Sequence, residues 1–242
     1  MSTYRSILPL LFIIVWMWAA INPLDRETWI LENLLVFIFI PLIIFAGTYF
    51  RFSTWSYTLV TIFLTLHVIG SHYTYAETPF GEMLGRWLGM DRNIYDRLVH
   101  FAFGLFLAYP IREVIFRLVR VRGVWSYVVP FDMTVALSAL YEIVEWGTAV
   151  IVDPHAGIAF LGSQGDQWDA QKDMALAALG AFLTLFTIAI VNWRYSAPFR
   201  SEVKESLHIG EAQRPEGEVH LREVIAQERL RRKERRERKK DA

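Results

Sequence analysis

The 242-residue chain contains no cysteine. Disulfides, thiolate zinc sites, iron–sulfur clusters and a cysteine nucleophile are therefore excluded, and any metal site has to be built from oxygen and imidazole ligands. The lack of cysteine does not fix a compartment, since a membrane protein can do without disulfides on either side. Charge is also sparse: 21% of residues are charged and 54% hydrophobic, with a mean hydropathy of +0.28. A soluble domain of this size does not need so much apolar material for its core, so the surplus is expected to face lipid. The formal net charge is zero but unevenly spread. Residues 1–194 carry 12 Lys/Arg against 15 Asp/Glu, and residues 195–242 carry 13 against 10. No internal repeat and no pair of broken helices of the transporter kind is visible.

What is present is a series of apolar runs near the length of about 20 residues that a spanning helix needs. Six are read: Arg5 to Ile21, Leu34 to Phe50, Tyr57 to Gly70, Leu98 to Val119, Ser126 to Ile151 and Met174 to Trp193. The first is preceded by a basic residue as in a signal peptide, but Trp16 and Trp18 stand where a small-residue cleavage site would be, so it is kept as a span. The third is short unless it continues through His72. Arg5, Arg51, Arg112, Arg117, Arg120, Arg122, Arg194, Arg200 and Lys204 all fall on one side of a six-span path, which the bias of Lys and Arg toward cytoplasmic loops makes the inner side. Arg86, Arg92, Arg97 and Lys172 are on the other side, each with acidic neighbours. The fold class expected is all-α: a polytopic membrane protein with six transmembrane helices and cytoplasmic N- and C-termini.

Residues 1–194 form the expected transmembrane domain and 195–242 a cytoplasmic charged linker and basic tail, helical or disordered. In the tail Leu221, Val224, Ile225 and Leu230 make only a thin apolar stripe. Interleaved Glu228, Glu234 and Glu237 favour a solvated helix, or a contact with anionic lipid or a cytoplasmic partner, over a nucleic-acid arm.

Ionisable residues in or at the edge of a membrane need a partner, water, a proton or an ion. On the six-span path, His72, Tyr75 and Glu77 end the third span, and Asp96 with His100 begins the fourth. Glu142 and Glu145 lie about 24 Å along the fifth at about 1.5 Å per residue. Asp166, Asp169 and Asp173 lead into the sixth, so all four groups reach one depth. The spacings Asp96/His100, Glu142/Glu145 and Asp166/Asp169/Asp173 each put side chains on one helix face. His67 stands about 140° around the helix from His72 and is expected to be outside the group.

Structural roles compete with this reading. Asp166 follows Ser163 at capping-box spacing, Asp169 or Asp96 can serve a helix start, and a lone His100 can be a satisfied hydrogen-bonding group. Glu142 and Glu145 resist such an account, because the dipole near the C-terminal end of a helix opposes negative charge. A structural role for them would need Arg92, Arg97 or Lys172 as partner. Tyr73, Tyr75, Trp87, Trp146 and Trp168 are expected in an interfacial aromatic belt. Gln164, Gly165 and Gln167 can supply donors around the acids, and His155, after Asp153 and Pro154, is expected in solvent.

Four segments resemble the YjdF-type family of bacterial inner-membrane proteins. They are His67 to Glu77 with Pro79-Phe80-Gly81, Tyr95-Asp96-Arg97-Leu98-Val99-His100-Phe101, Ser138 to Trp146, and Gly162 to Asp169 with Gln171 and Asp173. The resemblance runs from the second span through the sixth and implies a multi-pass protein of the bacterial inner (cytoplasmic) membrane, with no reaction attached. More distantly, the chain is similar to VanZ-like membrane proteins, with Arg97 in place of their Lys and Glu145 in place of a Gln-like position. That likeness leans toward cell-envelope or glycopeptide-resistance biology.

Three functions stay open. The first is an enzyme with an extracytoplasmic divalent cation, Mg²⁺, Mn²⁺, Fe²⁺ or Zn²⁺, held by some of Asp96, His100, Glu142, Glu145, Asp169 and Asp173. Glu142 or His72 would be its general base, Arg97 would steady an anionic group, and a lipid or lipid-linked head group would be the substrate. The second is a proton- or ion-coupled transporter, which needs a polar route onward beyond Asp132 and Glu113. The third is a non-catalytic envelope protein in which the same residues form a structural metal or salt-bridge knot.

Overall fold

The computed structural model describes residues 3–151, 162–207 and 231, and among them every regular element is helical, with no strand. The chain divides into two units, Met1–Ser206 and Leu207–Ala242. Asp153, His155 and the stripe of Leu221, Val224, Ile225 and Leu230 lie outside the described residues. In the first unit the helices are α1 (Thr3–Ala20), α2 (Arg26–Tyr49), α3 (Thr54–His72), α4 (Pro79–Trp87), α5 (Tyr95–Val114), α6 (Trp125–Ile151), α7 (Asp169–Tyr195) and α8 (Ala197–Ser206). A π-helical turn, Ile115–Val119, extends α5 and stops at Arg120, which takes a left-handed conformation with φ 61°.

Local chemistry sets several of these boundaries. The Asp25 carboxylate accepts the Thr28 N–H (2.6 Å) and so starts α2, and the Ser53 hydroxyl accepts the Ser56 N–H (3.2 Å) and starts α3. Among the described residues, four helices are long and apolar enough to cross a membrane: α2, α5 with its π turn, α6 and α7. The apolar part of α1, Ile7–Ala20, is shorter, and α3 is outside the four. The start of α2 at Arg26 carries Glu32 well inside the helix, whereas the hydropathic run begins only at Leu34. In the same way α7 begins at Asp169, so Asp169 and Asp173 are helical rather than part of a leading loop.

Contacts fix how several of these helices run. Tyr4 meets Thr58 and His72 meets the Ala19 carbonyl, so α1 and α3 run parallel. Tyr95 bonds the Leu66 carbonyl while Ser56 bonds Glu113, so α5 runs against α3. Asn192 donates to Tyr127 (2.7 Å), which sets α6 antiparallel to α7. One end of the unit gathers arginines on aromatic faces, Arg112 over Tyr127 at 4.3 Å and Arg122 over Phe116 at 3.9 Å.

The tightest crossing joins α5 and α7, and small residues permit it. Gly104 and Ala108 on one helix face Ala177, Gly180 and Ala181 on the other. A Cβ on Gly104 would run into the Ala177 carbonyl oxygen, and one on Gly180 into the Phe101 carbonyl. Close backbone approach through small residues is how membrane helices gain contact without a hydrophobic drive between them. Asp96, His100 and Gly104 follow one another at four-residue steps, as do Asp169, Asp173 and Ala177, so the crossing also brings the two sets of polar side chains together. Gly104→Leu is expected to force the helices apart and destabilise the protein by about 3 kcal/mol, read as a lowered unfolding midpoint in detergent. An unchanged midpoint would contradict the tight crossing.

Candidate metal centre between α5, α6 and α7

Asp96 lies in the first turn of α5 and Asp169 in the first turn of α7, and neither is the cap, which falls on Ile94 and Trp168. Both carboxylates sit at the positive end of a helix dipole. Glu142 and Glu145 come from the later part of α6, opposite in direction. The six expected ligands fall into two sets of three: His100, Glu142 and Glu145, and Asp96, Asp169 and Asp173. Within each set one ligand atom per residue lies within 4.8 Å of the others. The sets adjoin at His100, whose Nε2 is 3.5 Å from Asp96 Oδ1 and 3.4 Å from Glu142 Oε1. All but Glu142 are buried, and Glu142 Oε1 and Asp173 Oδ1 are buried with no hydrogen-bond partner. A buried polar atom without a partner is exceptional in a folded chain, and here two carboxylate oxygens share that condition.

The cations beside the cluster pair with Asp166 and Asp169. Arg92 Nη1 reaches Asp169 Oδ1 at 2.6 Å and Asp166 Oδ2 at 3.4 Å. Arg97 Nη2 meets Asp166 at 2.5 Å and Asp169 at 3.5 Å, and Lys172 Nζ meets Asp166 at 2.6 Å. None of the three therefore supplies the partner that a structural role for Glu142 and Glu145 would need. Arg92 Nη2 and Arg97 Nε are themselves buried without an acceptor.

Asp166 holds this network from outside the helices. Its carboxyl is pulled from the ordinary 3.8 to about 2, first by the Lys172 hydrogen bond, then by the Trp168 N–H it accepts, and also by Arg97. It does not close a capping box with Ser163; its Oδ1 takes the Trp168 N–H at 3.1 Å instead. The depression belongs to the folded chain, so its stabilisation is complete above 3.8 and is lost as the pH falls toward about 2. The unfolding midpoint is expected to drop across that window in the wild type, and Asp166→Asn should remove that part of the drop. A drop of equal size in the variant would contradict the assignment.

An apolar cavity of ≈ 160 Å³ opens onto the cluster, walled by Leu35, Phe39, Phe63, Val99 and Phe103, with Asp96, His100, Ser138 and Tyr141 on its polar side. His67 and Tyr75 line it too, while neither ligand set includes His67. Thr74 and Tyr75 take left-handed φ values of 54° and 55°, and their turn brings the Tyr75 hydroxyl to His67 Nδ1 at 2.5 Å. Tyr75 is thereby buried rather than part of an aromatic belt, while Trp87, Trp146 and Trp168 are exposed. His72, the other expected base, is found elsewhere: its Nδ1 bonds the Ala19 carbonyl (3.0 Å) and its ring stacks on Trp18 at 4.6 Å. Gln164 exchanges two hydrogen bonds with the Asn93 backbone, bracing the loop rather than facing the acids.

Glu32 is the residue that the spans concealed. It is 3% exposed and accepts the Tyr141 hydroxyl at 3.1 Å, which ties α2 to α6 beside the cavity. Helical phase carries the signal, because Glu32, Leu35 and Phe39 follow at three and four residues and the latter two line the cavity.

The class defined by these features is an all-helical integral membrane protein with a buried imidazole–carboxylate cluster beside an apolar cavity. The chain belongs to the family described as "Predicted membrane protein (DUF2238)", which matches residues 4–194. It is 36% identical over 184 residues to the inner membrane protein YjdF of Escherichia coli (strain K12), an alignment spanning 75% of this chain and 87% of that protein. No solved structure matches the chain significantly.

Proposed function

We propose that the protein is a divalent-metal-dependent enzyme of the inner membrane that acts on a lipid or lipid-linked head group at the outer face. The observation that carries this is the meeting of His100 with five carboxylates from three helices around unpartnered buried oxygens, at the mouth of an apolar cavity. A cation there would be held by imidazole and carboxylate and would supply Lewis acidity and an acidified water. Glu142, whose Oε1 lies 3.4 Å from His100 Nε2, is the general base of the proposal, and the unpartnered N–H groups of Arg92 and Arg97 receive an anionic head group. His72 drops out of the mechanism.

The proposed topology keeps six spans with both termini cytoplasmic, and a transmembrane domain over 1–194 followed by the charged tail. Its support is the alternating direction of successive helices and the gathering of Arg112, Arg117 and Arg122 at the end opposite the cluster. A reporter fused at Ala242 is expected to be active in the cytoplasm, and activity on the outer side would overturn the orientation. The relay reading fares worse. Glu113 is engaged by the Ser53 N–H, the Ser56 hydroxyl and Arg117, Asp132 faces outward from α6, and Phe63, Phe103 and Leu107 occupy the core between.

The test is bound metal in the detergent-purified full chain, with head-group release from envelope lipids followed with and without chelator. Wild type is expected to retain a divalent metal, Glu142→Gln to lose about tenfold or more in affinity, and the chelator to stop turnover. Equal, negligible metal in both proteins would remove the mechanism. Retained metal with no turnover on any envelope lipid would favour a structural knot.

A further inference from the structure

We infer that the six side chains hold two divalent cations side by side. This rests on the metal-dependent reading above and specifies its centre. Each set, His100/Glu142/Glu145 and Asp96/Asp169/Asp173, offers three ligand atoms within 4.8 Å of one another, and the sets have no residue in common. Three protein ligands with a position left for water is the usual complement of one catalytic zinc, so one set leaves the other unused. Asp96 stands between them, 3.5 Å from the His100 imidazole while grouped with Asp169 and Asp173, where a carboxylate can bridge neighbouring ions. Cations in two-metal sites lie about 3.5–4 Å apart, which suits adjoining sets of this kind.

Unpartnered atoms point to both positions. Asp173, 2% exposed, has Oδ1 without a donor in one set, and Glu142 Oε1 is without one in the other. Ser138, also 2% exposed, keeps a free hydroxyl on the cavity wall beside His100. Charge points the same way. Among the described residues, the acids Glu32, Asp96, Glu142, Glu145, Asp166, Asp169 and Asp173 lie in or beside the cluster, and the cations Arg92, Arg97 and Lys172 form ion pairs with Asp166 and Asp169 only. Burying that excess of negative charge is costly. Two divalent ions cancel the difference of four charges, whereas one ion leaves half of it to be met by protons.

The experiment uses the full chain in detergent, stripped with chelator and titrated with Mn²⁺, with bound metal measured by equilibrium dialysis and the ions observed by electron paramagnetic resonance. Wild type is expected to saturate at two equivalents, the second bringing spin coupling that abolishes the isolated-ion hyperfine pattern. Asp173→Asn and His100→Ala are each expected to saturate at one equivalent with an uncoupled spectrum and an unchanged helical circular dichroism signal. Saturation of wild type at one equivalent would overturn the pair and leave a single-ion enzyme standing. Two uncoupled equivalents would overturn their adjacency, and no binding would remove the metal reading altogether. The wild-type spectrum decides the matter even if a variant fails to fold.

Discussion

Asp169→Ala is expected to lower stability by about 3–5 kcal/mol, the range for removing one partner of a buried ion pair, and to abolish metal binding in its half of the cluster. Asp169 is 6% exposed, and its Oδ1 receives Arg92 at 2.6 Å and Arg97 at 3.5 Å. Alanine would leave Arg92 with Asp166 at 3.4 Å as its remaining carboxylate, beside the Asn93 and Ser163 carbonyls, in a site where the guanidinium is already short of an acceptor. The same change removes one of three ligands from the set with Asp96 and Asp173. Asp169→Asn separates the two effects, since it keeps the shape and an acceptor oxygen for Arg92 but lacks the ligand charge. The asparagine variant is expected to unfold nearer the wild-type midpoint and still to bind little metal. Wild-type midpoints for both variants in thermal unfolding of the metal-free protein would contradict the buried network.

Val99→Phe is expected to cut kcat/KM on a lipid substrate about a hundredfold, because binding energy from remote parts of a substrate contributes to the rate at the reacting centre. Val99 is 4% exposed and lies between Asp96 and Phe103 on the cavity wall, so a larger ring there enters the ≈ 160 Å³ space. It provides no metal ligand, and bound metal is expected to stay at the wild-type level. Turnover of a short-chain, water-soluble analogue of the head group should change little. Equal losses on both substrates would mean that the cavity does not receive the chain of the lipid.

Much of the cluster was legible because helical periodicity needs no tertiary information. Asp96 with His100, Glu142 with Glu145 and Asp169 with Asp173 are each three or four residues apart, and the structure gathers all of them. The partner choices of the cations were not legible. Arg92, Arg97 and Lys172 lie near every acid in the cluster along a six-span path, and only the loop around Asp166 directs them to Asp166 and Asp169. The places of His72 and His67 were not legible for a similar reason: which of the two faces the cavity depends on α1 covering His72 through Ala19 and Trp18. Glu32 was missed because hydropathy marks where apolar residues begin rather than where Asp25 starts the helix. The α5–α7 crossing was visible in principle as the pairs Gly104/Ala108 and Ala177/Ala181 at four-residue spacing.

The natural lack of cysteine makes the decisive measurement clean, because introduced thiols have no background. With His100→Cys and Glu142→Cys together in membranes, a short bifunctional thiol reagent should join the α5 and α6 peptides within one chain, as detected by mass spectrometry. The pair Glu82→Cys with Glu142→Cys should give no such product. Separate labelling of both thiols at positions 100 and 142 without a cross-link would show that these helices do not present their side chains to one another, and the metal centre would go with them.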